Sequence, residues 1–539
     1  MTSLERADTM TREEVAATLD EKDSLQERVD DLQRKIDWFN RQLFGEKSER
    51  QLHPDLSRQL SLGEGKIATA SADHPDPAPQ TPVAPHKRRK ARSAMDVLTE
   101  GLRFDETVPM TIIELVDADM QAIPKDELVR IDEKRTYRLA QRPAAYEVVC
   151  YSRPVFKHRK TGEFFCAPAP ASVLERSCAD VSLLAGLLVD KLLYHLPLYR
   201  QHQRMGDNGV VVGRSSLTNW TQRAIDLLEP IHEAQLTSIL DGRTLTMDET
   251  PIKAGRKGNG AGKGKMKRGY FWPVYGDQDE VSFLFAPTRA RSVIEQTLDG
   301  FTGVLLTDGY GPYDQYASKT NDITHAGCWA HTRRKFIEAE SAEPRLCKMA
   351  LDHIGVMYKQ EALILERGYT GKEKIAARAE HCRPLVEDFF EWLDQMVNEQ
   401  LLLPSNPFLG AAAYARSRRK QLTVFLDYPD LPVDTNHIER EIRPIALGRK
   451  NWMFCWTELG AKQLGIAQGL LRTCRLHGID PYTWLVDVLQ RVAEHPASRV
   501  DELTPRLWKG CFGSNPLQSD VRLRQENVEG RGRPQGSVV

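Results

Sequence analysis

Acidic residues in three segments hold the chemistry this sequence could do. Asp248 ends an apolar, alternating run (RTLTMDETPIK), Asp308 ends another (GVLLTDGYGPY), and Glu439 and Glu441 lie in the polar segment NHIEREIRPIALGRKNW. Carboxylates brought together repel one another unless something neutralises them. A divalent cation does so: magnesium takes hard oxygen ligands from one or two carboxylates plus phosphate. A pair of such ions can activate an attacking oxygen and stabilise a leaving one. A lone strand-ending Asp more often meets solvent or caps a turn, but two at matching strand ends point toward a site. Of the two glutamates, Glu439 shares a helical face with Arg443 one turn on, whereas Glu441 lies on a different face. Taken alone, that segment reads first as a solvated charged helix.

The elements that must position these acids follow from the pattern after residue 243. RTLTMDETPIK, RGYFWPVYGD and EVSFLFAP read as strands, RSVIEQTLDGF as a helix and GVLLTDGYGPY as a further strand. The order β-β-β-α-β is that of the ribonuclease H-like fold, in which the first strand and the strand after the helix lie side by side. Alternation points Leu245 and Met247 one way, Thr246 and Asp248 the other. Between the first two strands runs KAGRKGNGAGKGKMKRG, a glycine-rich basic hairpin loop with Arg256, Lys257, Lys263, Lys265, Lys267 and Arg268. It lacks Walker A spacing and opens no helix, so a nucleotide-driven motor is not indicated. Arg440, Arg443, Arg449 and Lys450 make the Glu439 segment basic and suit it to a phosphate backbone.

Upstream, DVSLLAGLLVDKLL, PLYRQHQRM and SSLTNWTQRAIDLL read as three helices, the last opened by Ser215 or Ser216 as N-cap. The spacing suits a helix-turn-helix whose final helix reads DNA through Arg214, Thr218, Asn219, Gln222 and Arg223; an ordinary three-helix bundle fits the pattern as well. Residues 98–170 read as a small β-rich unit around the turn HRKTG. Its Cys150, His158 and Cys166 are too few and too scattered for zinc, which takes four close ligands. From Leu25 to Leu43 apolar residues recur at steps of three and four, a coiled-coil pattern that would self-associate; one amphipathic helix packed in cis is the alternative. A Pro/Ala-rich and basic linker follows.

Bulk properties describe a soluble globular protein. The 539 residues carry a net charge of −1, so nucleic-acid contacts must come from local basic patches. The nine cysteines contain no Cys-x-x-Cys and form no disulfide framework, which fits a reducing cytosol. The most apolar run, VSLLAGLLVDKLLYHLPL, carries Asp190 and Lys191 and makes a poor membrane span.

With these pieces in order, the chain resembles insertion-sequence-66-type transposases from about residue 25 to 510. The resemblance rests on RQLFGEKSER, APAPASVLERS, KLLYHLPLYRQHQ with RSSLTNW, MDETP, TDGYGPYDQY, CWAHTRRKF, NHIEREIRPIALGRKNWMF, LHGIDPYTWLVDVLQR and HPASRVDELTP. It implies a multidomain α/β protein: coiled coil (1–65), linker (66–97), degenerate zinc-finger-like module (98–170), helix-turn-helix (171–235), ribonuclease H-like catalytic domain (236–475) with a helical insertion at about 332–424, C-terminal helical region (476–515) and disordered tail (516–539). It also implies a DDE site of Asp248, Asp308 and Glu439 holding two Mg2+ or Mn2+ ions, braced by Cys328 and His331. A buried structural pair is the equal alternative for those last two. The family's Cys-Pro-x-Cys-Gly is absent here, so structural zinc is not expected. The implied activity is cleavage and transfer of DNA strands at terminal inverted repeats by a cytoplasmic homo-oligomer, nucleoid-associated when bound to DNA, with small accessory proteins of the same element as candidate partners. A non-catalytic DNA-binding derivative and a nuclease without strand transfer are the competing readings.

Overall fold

The structure is a computed structural model that describes residues 95–96 and 102–522, apart from 118, 121–122, 143–144, 258–263, 400–401 and 453. The expected coiled coil, nearly all of the linker, Lys263 and the tail beyond 522 lie outside the described residues.

The N-terminal β unit is built on a long antiparallel ribbon. After β1 (Met95–Asp96) and β2 (Arg103–Phe104), strand β3 (Met110–Glu114) runs parallel to β5 (Ala145–His158). β5 pairs along its length with β4 (Leu128–Arg142), and β6 (Phe164–Phe165) pairs with its end. The sequence reading found β5 and β6 but not β4, whose first half (LVRIDEKR) is charged and largely exposed and so lacks an apolar face. His158 serves the HRKTG turn: its Nδ1 accepts the Lys160 and Thr161 N–H groups at 3.2 and 3.1 Å. Cys150 is buried in the sheet, and all nine cysteines are free thiols.

Helices α1 (Val181–Leu192), α2 (Leu198–Asp207), α3 (Arg214–Asp226) and α4 (Glu229–Leu240) follow, with β7 (Val210–Val211) pairing with β2 between α2 and α3. Asp180 caps α1 by accepting the Ser182 N–H at 2.9 Å. α3 begins one residue before the expected caps: extended Gly213 is its N-cap, and Ser215 and Ser216 lie inside the first turn. α1 is buried almost all round, which explains its apolar sequence; no helix of the described residues is long and apolar enough to cross a membrane.

The central sheet has the order β11-β10-β8-β12-β13, with β9 also paired to β10. Its strands are β8 (Thr244–Met247), β9 (Thr250–Arg256), β10 (Met266–Gly276), β11 (Val281–Ala286), β12 (Gly303–Thr307) and β13 (Ile323–Gly327). β10 is antiparallel to β8, β9 and β11, while β12 is parallel to both β8 and β13. The run expected as one strand is thus two, broken at Asp248–Glu249. Leu245 and Met247 enter a core with α5 (Arg291–Thr297) and α6 (Gly311–Ala317), as alternation requires.

The opposite face is covered by helices. From α7 (Trp329–Ala339) the chain continues through α8 (Pro344–Glu366), α9 (Gly371–His381), α10 (Arg383–Glu399), α11 (Pro407–Ser417) and α12 (Arg419–Thr423), which share a core with β12 and β13. Fully buried Arg378 ties this unit to the segment that leads back to the sheet. It pairs with Glu361 and donates to the carbonyls of Phe425, Tyr428 and Leu431 at 2.6, 2.7 and 3.0 Å. A buried guanidinium is tolerated because its donors are satisfied in this way.

α13 (Asn436–Trp452) and α14 (Glu458–Leu476) then return across the sheet, followed by α15 (Pro481–Arg491) and α16 (Pro505–Cys511). The expected disordered tail is ordered at its start: Leu517 N–H donates to Asp487, the Tyr151 hydroxyl donates to Asp520 at 2.6 Å, and Val521 is buried.

α14 lies on β11 at backbone distance, which only glycine allows. A Cβ on Gly465 would sit 2.2 Å from the Phe283 carbonyl oxygen, and one on Gly469 would sit 2.9 Å from that of Val281. A Cβ on Gly410 in α11 would meet nothing within 4 Å. Gly465→Ala should therefore lower unfolding free energy by about 1–3 kcal/mol. Gly410→Ala should raise it by roughly 0.5–1 kcal/mol through helix propensity. Urea unfolding of the two variants measures both, and equal effects would contradict this packing.

Candidate active site

The break between β8 and β9 creates the site. β8 and β12 are adjacent and in register, with Thr246 opposite Leu306, so the residues two positions on, Asp248 and Asp308, leave the sheet at the same edge. Asp248 Oδ1 accepts the Glu249 N–H at 2.7 Å, and Asp308 Oδ1 accepts the Tyr310 N–H at 2.8 Å. These local turns fix each carboxylate and leave its second oxygen for a ligand.

Glu249 joins them. On an unbroken strand it would point away from Asp248, but the chain turns here, and ligand oxygens of Asp248, Glu249 and Asp308 lie within 4.8 Å of one another. The sequence reading passed over this residue. Glu249 is held by an ion pair with Arg289 and by the Tyr313 hydroxyl, which donates to it at 3.1 Å.

Glu439 stands on the first turn of α13, outside this tight group but within electrostatic reach of it. Burial first, then the charges of Asp308 and Glu439, together push the Asp248 carboxyl up to about 8, against the pull of Arg289 and Arg334. Glu439 itself lies 3.8 Å from His331 Nε2 and 3.6 Å from Arg334 Nη2. Both contacts exceed hydrogen-bond length, and Glu439 Oε1 and His331 Nδ1 are buried without a hydrogen-bond partner. Burial holds the His331 imidazole below its usual range. The site thus gathers four carboxylates against two flanking guanidinium groups, Arg289 on Glu249 and Arg334 near Glu439. The other glutamate of α13, Glu441, is buried and accepts from Arg472 at 2.6 Å, so its role is structural.

Several contacts position α13. Cys328, the N-cap of α7, accepts from the Thr435 N–H and hydroxyl at 3.3 and 3.2 Å, one residue before α13 begins. Burial pushes this thiol up to about 11, so it remains protonated. His437 Nε2 lies 2.9 Å from Thr246 Oγ1, tying the first turn of α13 to β8. Around Asp308, His325 bridges Thr307 (2.9 Å) and Asp314 (3.3 Å), and Arg418 joins Asp314 (2.9 Å) to the Gly309 carbonyl (2.7 Å).

The expected DNA-contacting residues fall on three surfaces. Arg214, Thr218 and Asn219 are exposed on α3, with Gln222 and Arg223 half-buried beside them. Arg214 stacks on Tyr199, and Arg223 donates to the Glu175 carbonyl at 3.1 Å. Arg256, Lys257, Lys265, Lys267 and Arg268 are exposed on the β9–β10 hairpin. There Arg256 covers the exposed Trp456 ring at 4.3 Å and Lys267 pairs with Glu458 at 2.9 Å. Arg440, Arg443 and Lys450 are exposed on α13, whereas half-buried Arg449 donates to the Pro251 carbonyl and is engaged within the protein. Besides Glu249, the sequence reading missed Arg289, Arg334 and Tyr313. Only the basic run after His331 hinted at Arg334, and nothing in the local sequence marks Arg289.

Comparison with known proteins agrees along the chain. Residues 176–463 match the profile described as transposase IS66 family, residues 470–506 the IS66 C-terminal element, and residues 31–100 the profile described as transposase C of IS166 homeodomain. Uncharacterized protein y4hP of Sinorhizobium fredii is 29% identical over 506 residues, covering 89% of this chain and 88% of its own. Uncharacterized protein y4qI of the same organism is 29% identical over 503 residues, covering 90% of each chain. Since one profile spans more than half of the sequence and includes all three of the expected acids, the chain belongs to the IS66 family of transposases.

Proposed function

We propose that this transposase cuts and joins DNA strands by divalent-metal chemistry at Asp248, Asp308 and Glu439, on a ribonuclease H-like core. One observation carries the reading: two aspartates leave adjacent parallel strands side by side, with a glutamate from a distant helix acting on the same carboxyl. The donors suit Mg2+ or Mn2+, since they are hard oxygens and one of them, Glu439 Oε1, is buried without a partner. Bound at the acids, such ions would activate water or a DNA 3′-hydroxyl for attack and stabilise the departing oxygen.

The chain's own groups do the rest. Asp248 and Asp308 hold the site at the sheet edge, with Glu249 beside them, and Glu439 closes it from α13. His331 and Arg334 both stand beyond hydrogen-bond length from Glu439, so neither locks it in a close ion pair. The exposed faces of α3 and of the basic hairpin grip duplex DNA, with element terminal inverted repeats as the natural substrate. Cleavage frees a 3′-hydroxyl that attacks target DNA by direct transesterification, without a covalent protein–DNA intermediate. Self-association through the N-terminal heptads would bring two ends together in the bacterial cytoplasm.

Asp248→Asn, Asp308→Asn and Glu439→Gln should each reduce Mg2+-dependent cleavage of the element's own ends by roughly 10³-fold or more. End binding in a mobility-shift assay should persist. Cleavage at the native rate by all three would refute the assignment, and cleavage without joining would make the protein a nuclease.

The raised Asp248 carboxyl has a second consequence. Its folded value, about 8, lies above the unfolded value of about 3.9. Between those limits the native state holds a proton that the unfolded chain has released, so stability falls as pH rises. In chelator, unfolding free energy should drop by on the order of 1–2 kcal/mol from pH 5 to pH 8 through this group. Asp248→Asn should flatten that slope, and Mg2+ should restore stability at pH 8. A wild-type slope identical to that of Asp248→Asn would show that the carboxyl is not raised.

A further inference from the structure

Two guanidinium groups flank the acids from different elements. Arg289 comes from the loop between β11 and α5. It pairs with Glu249, whose side chain is 3% exposed, while its own is 40% exposed. The Tyr310 ring lies under it at 3.7 Å, and the Tyr310 hydroxyl donates to the Arg289 carbonyl at 2.7 Å. This arginine is therefore held in place at the rim of the site. Arg334 comes from α7 and is 51% exposed, with Nη2 at 3.6 Å from Glu439 Oε2, an electrostatic contact rather than a hydrogen bond. Each side chain keeps part of its charge on an acid and part in solvent.

A guanidinium offers five N–H donors in a planar fork that fits phosphate oxygens as well as carboxylates. A carboxylate bound by a divalent cation has less need of an arginine. Resting on the reading above, we propose that Arg289 and Arg334 are the phosphate-binding groups of the active site. In the metal-free protein they neutralise Glu249 and Glu439. When divalent cations take the acids, both guanidinium groups turn to the phosphates of the DNA strand. Arginine and metal are then alternative partners of the same carboxylates, and DNA is the alternative partner of the arginines. Metal and DNA must therefore strengthen each other's binding, and by linkage the effect is reciprocal.

The test uses the full chain with Mn2+ alone, titrated by calorimetry, and with a duplex oligonucleotide, followed by fluorescence anisotropy in Ca2+ or in chelator over a range of salt. Asp248→Asn supplies the blank for metal bound elsewhere. Arg289→Gln and Arg334→Gln should each bind Mn2+ about three- to tenfold more tightly, because a competing cation is gone. In Ca2+ they should bind the duplex about tenfold more weakly, with a salt slope reduced by about one. In chelator the loss should be much smaller. Arg289→Lys keeps the charge without the fork, so it should return Mn2+ affinity to the wild-type value while leaving DNA binding weak. This guards against a folding defect in the glutamine variant. Unchanged or weaker Mn2+ binding, or an equal loss of DNA affinity with and without Ca2+, overturns the proposal. If the wild type binds both Mn2+ and DNA but the variants behave as wild type, the arginine assignment alone fails. If it binds neither, the metal-dependent reading fails as well.

Discussion

Mutual repulsion of carboxylates is the constraint on which this architecture turns. Asp248, Glu249 and Asp308 crowd one sheet edge, and Glu439 adds its charge from α13. Burial first, and then the like charges of Asp308 and Glu439, disfavour ionisation of Asp248 and displace its carboxyl upward. The local contacts, chiefly Arg289 and Tyr313 on Glu249, offset only part of this repulsion. The convergence must be imposed by the cores on either side: the α5–α6 layer on one face of the sheet and the helical unit, α13 and α14 on the other.

The imposed geometry has identifiable supports, and most lie one step behind the acids. Buried Arg378 joins α8, α9 and the 425–431 segment, so the long helical excursion from β13 returns to a fixed point. From there Cys328 receives Thr435 and Thr246 meets His437, which sets where α13 starts over the sheet. On the other side the Thr307–His325–Asp314–Arg418 series holds the turn that follows Asp308. The helical unit is thus more than an insertion hung on the sheet, because the placement of Glu439 depends on it. The energetic logic is that of buried polar networks: the more fully the members are satisfied, the more narrowly they specify one arrangement, and Arg378 meets that condition.

Much of this was legible in the sequence because periodicity and strand order are local properties. The run of strands and one helix after residue 243 correctly placed β8 beside β12, and alternation correctly sent Leu245 and Met247 into a core. Glu439 was separable from Glu441 by helical face alone, and Glu441 proves to be buried against Arg472. What escaped was non-local or depended on a broken rule. Strand β4 was missed because charged residues fill its exposed half. Glu249 was missed because alternation assigns it to the opposite face, and only the break after Met247 turns it inward. Arg289 and Arg334 were missed because their partners lie 40 and 105 residues away.

The two glutamates of α13 differ in how far the protein itself satisfies them. They lie two positions apart on one helix, so propensity and helix dipole affect them almost alike. Glu441 faces α14, where Arg472 meets its carboxylate at 2.6 Å, and its contribution goes into fixing α13 on α14. Glu439 faces the sheet edge, where His331 and Arg334 stand beyond hydrogen-bond length and one of its oxygens is left without a partner. An acid kept under-satisfied beside two other strand-end acids costs stability in the metal-free state, since desolvation is not offset by hydrogen bonds. That cost is tolerated only because the helix is anchored by its neighbours: Ile438 and Ile445 in the core, Glu441 on Arg472 and Arg449 on the Pro251 carbonyl. Anchoring by one set of residues is what leaves the Glu439 carboxylate free for a ligand.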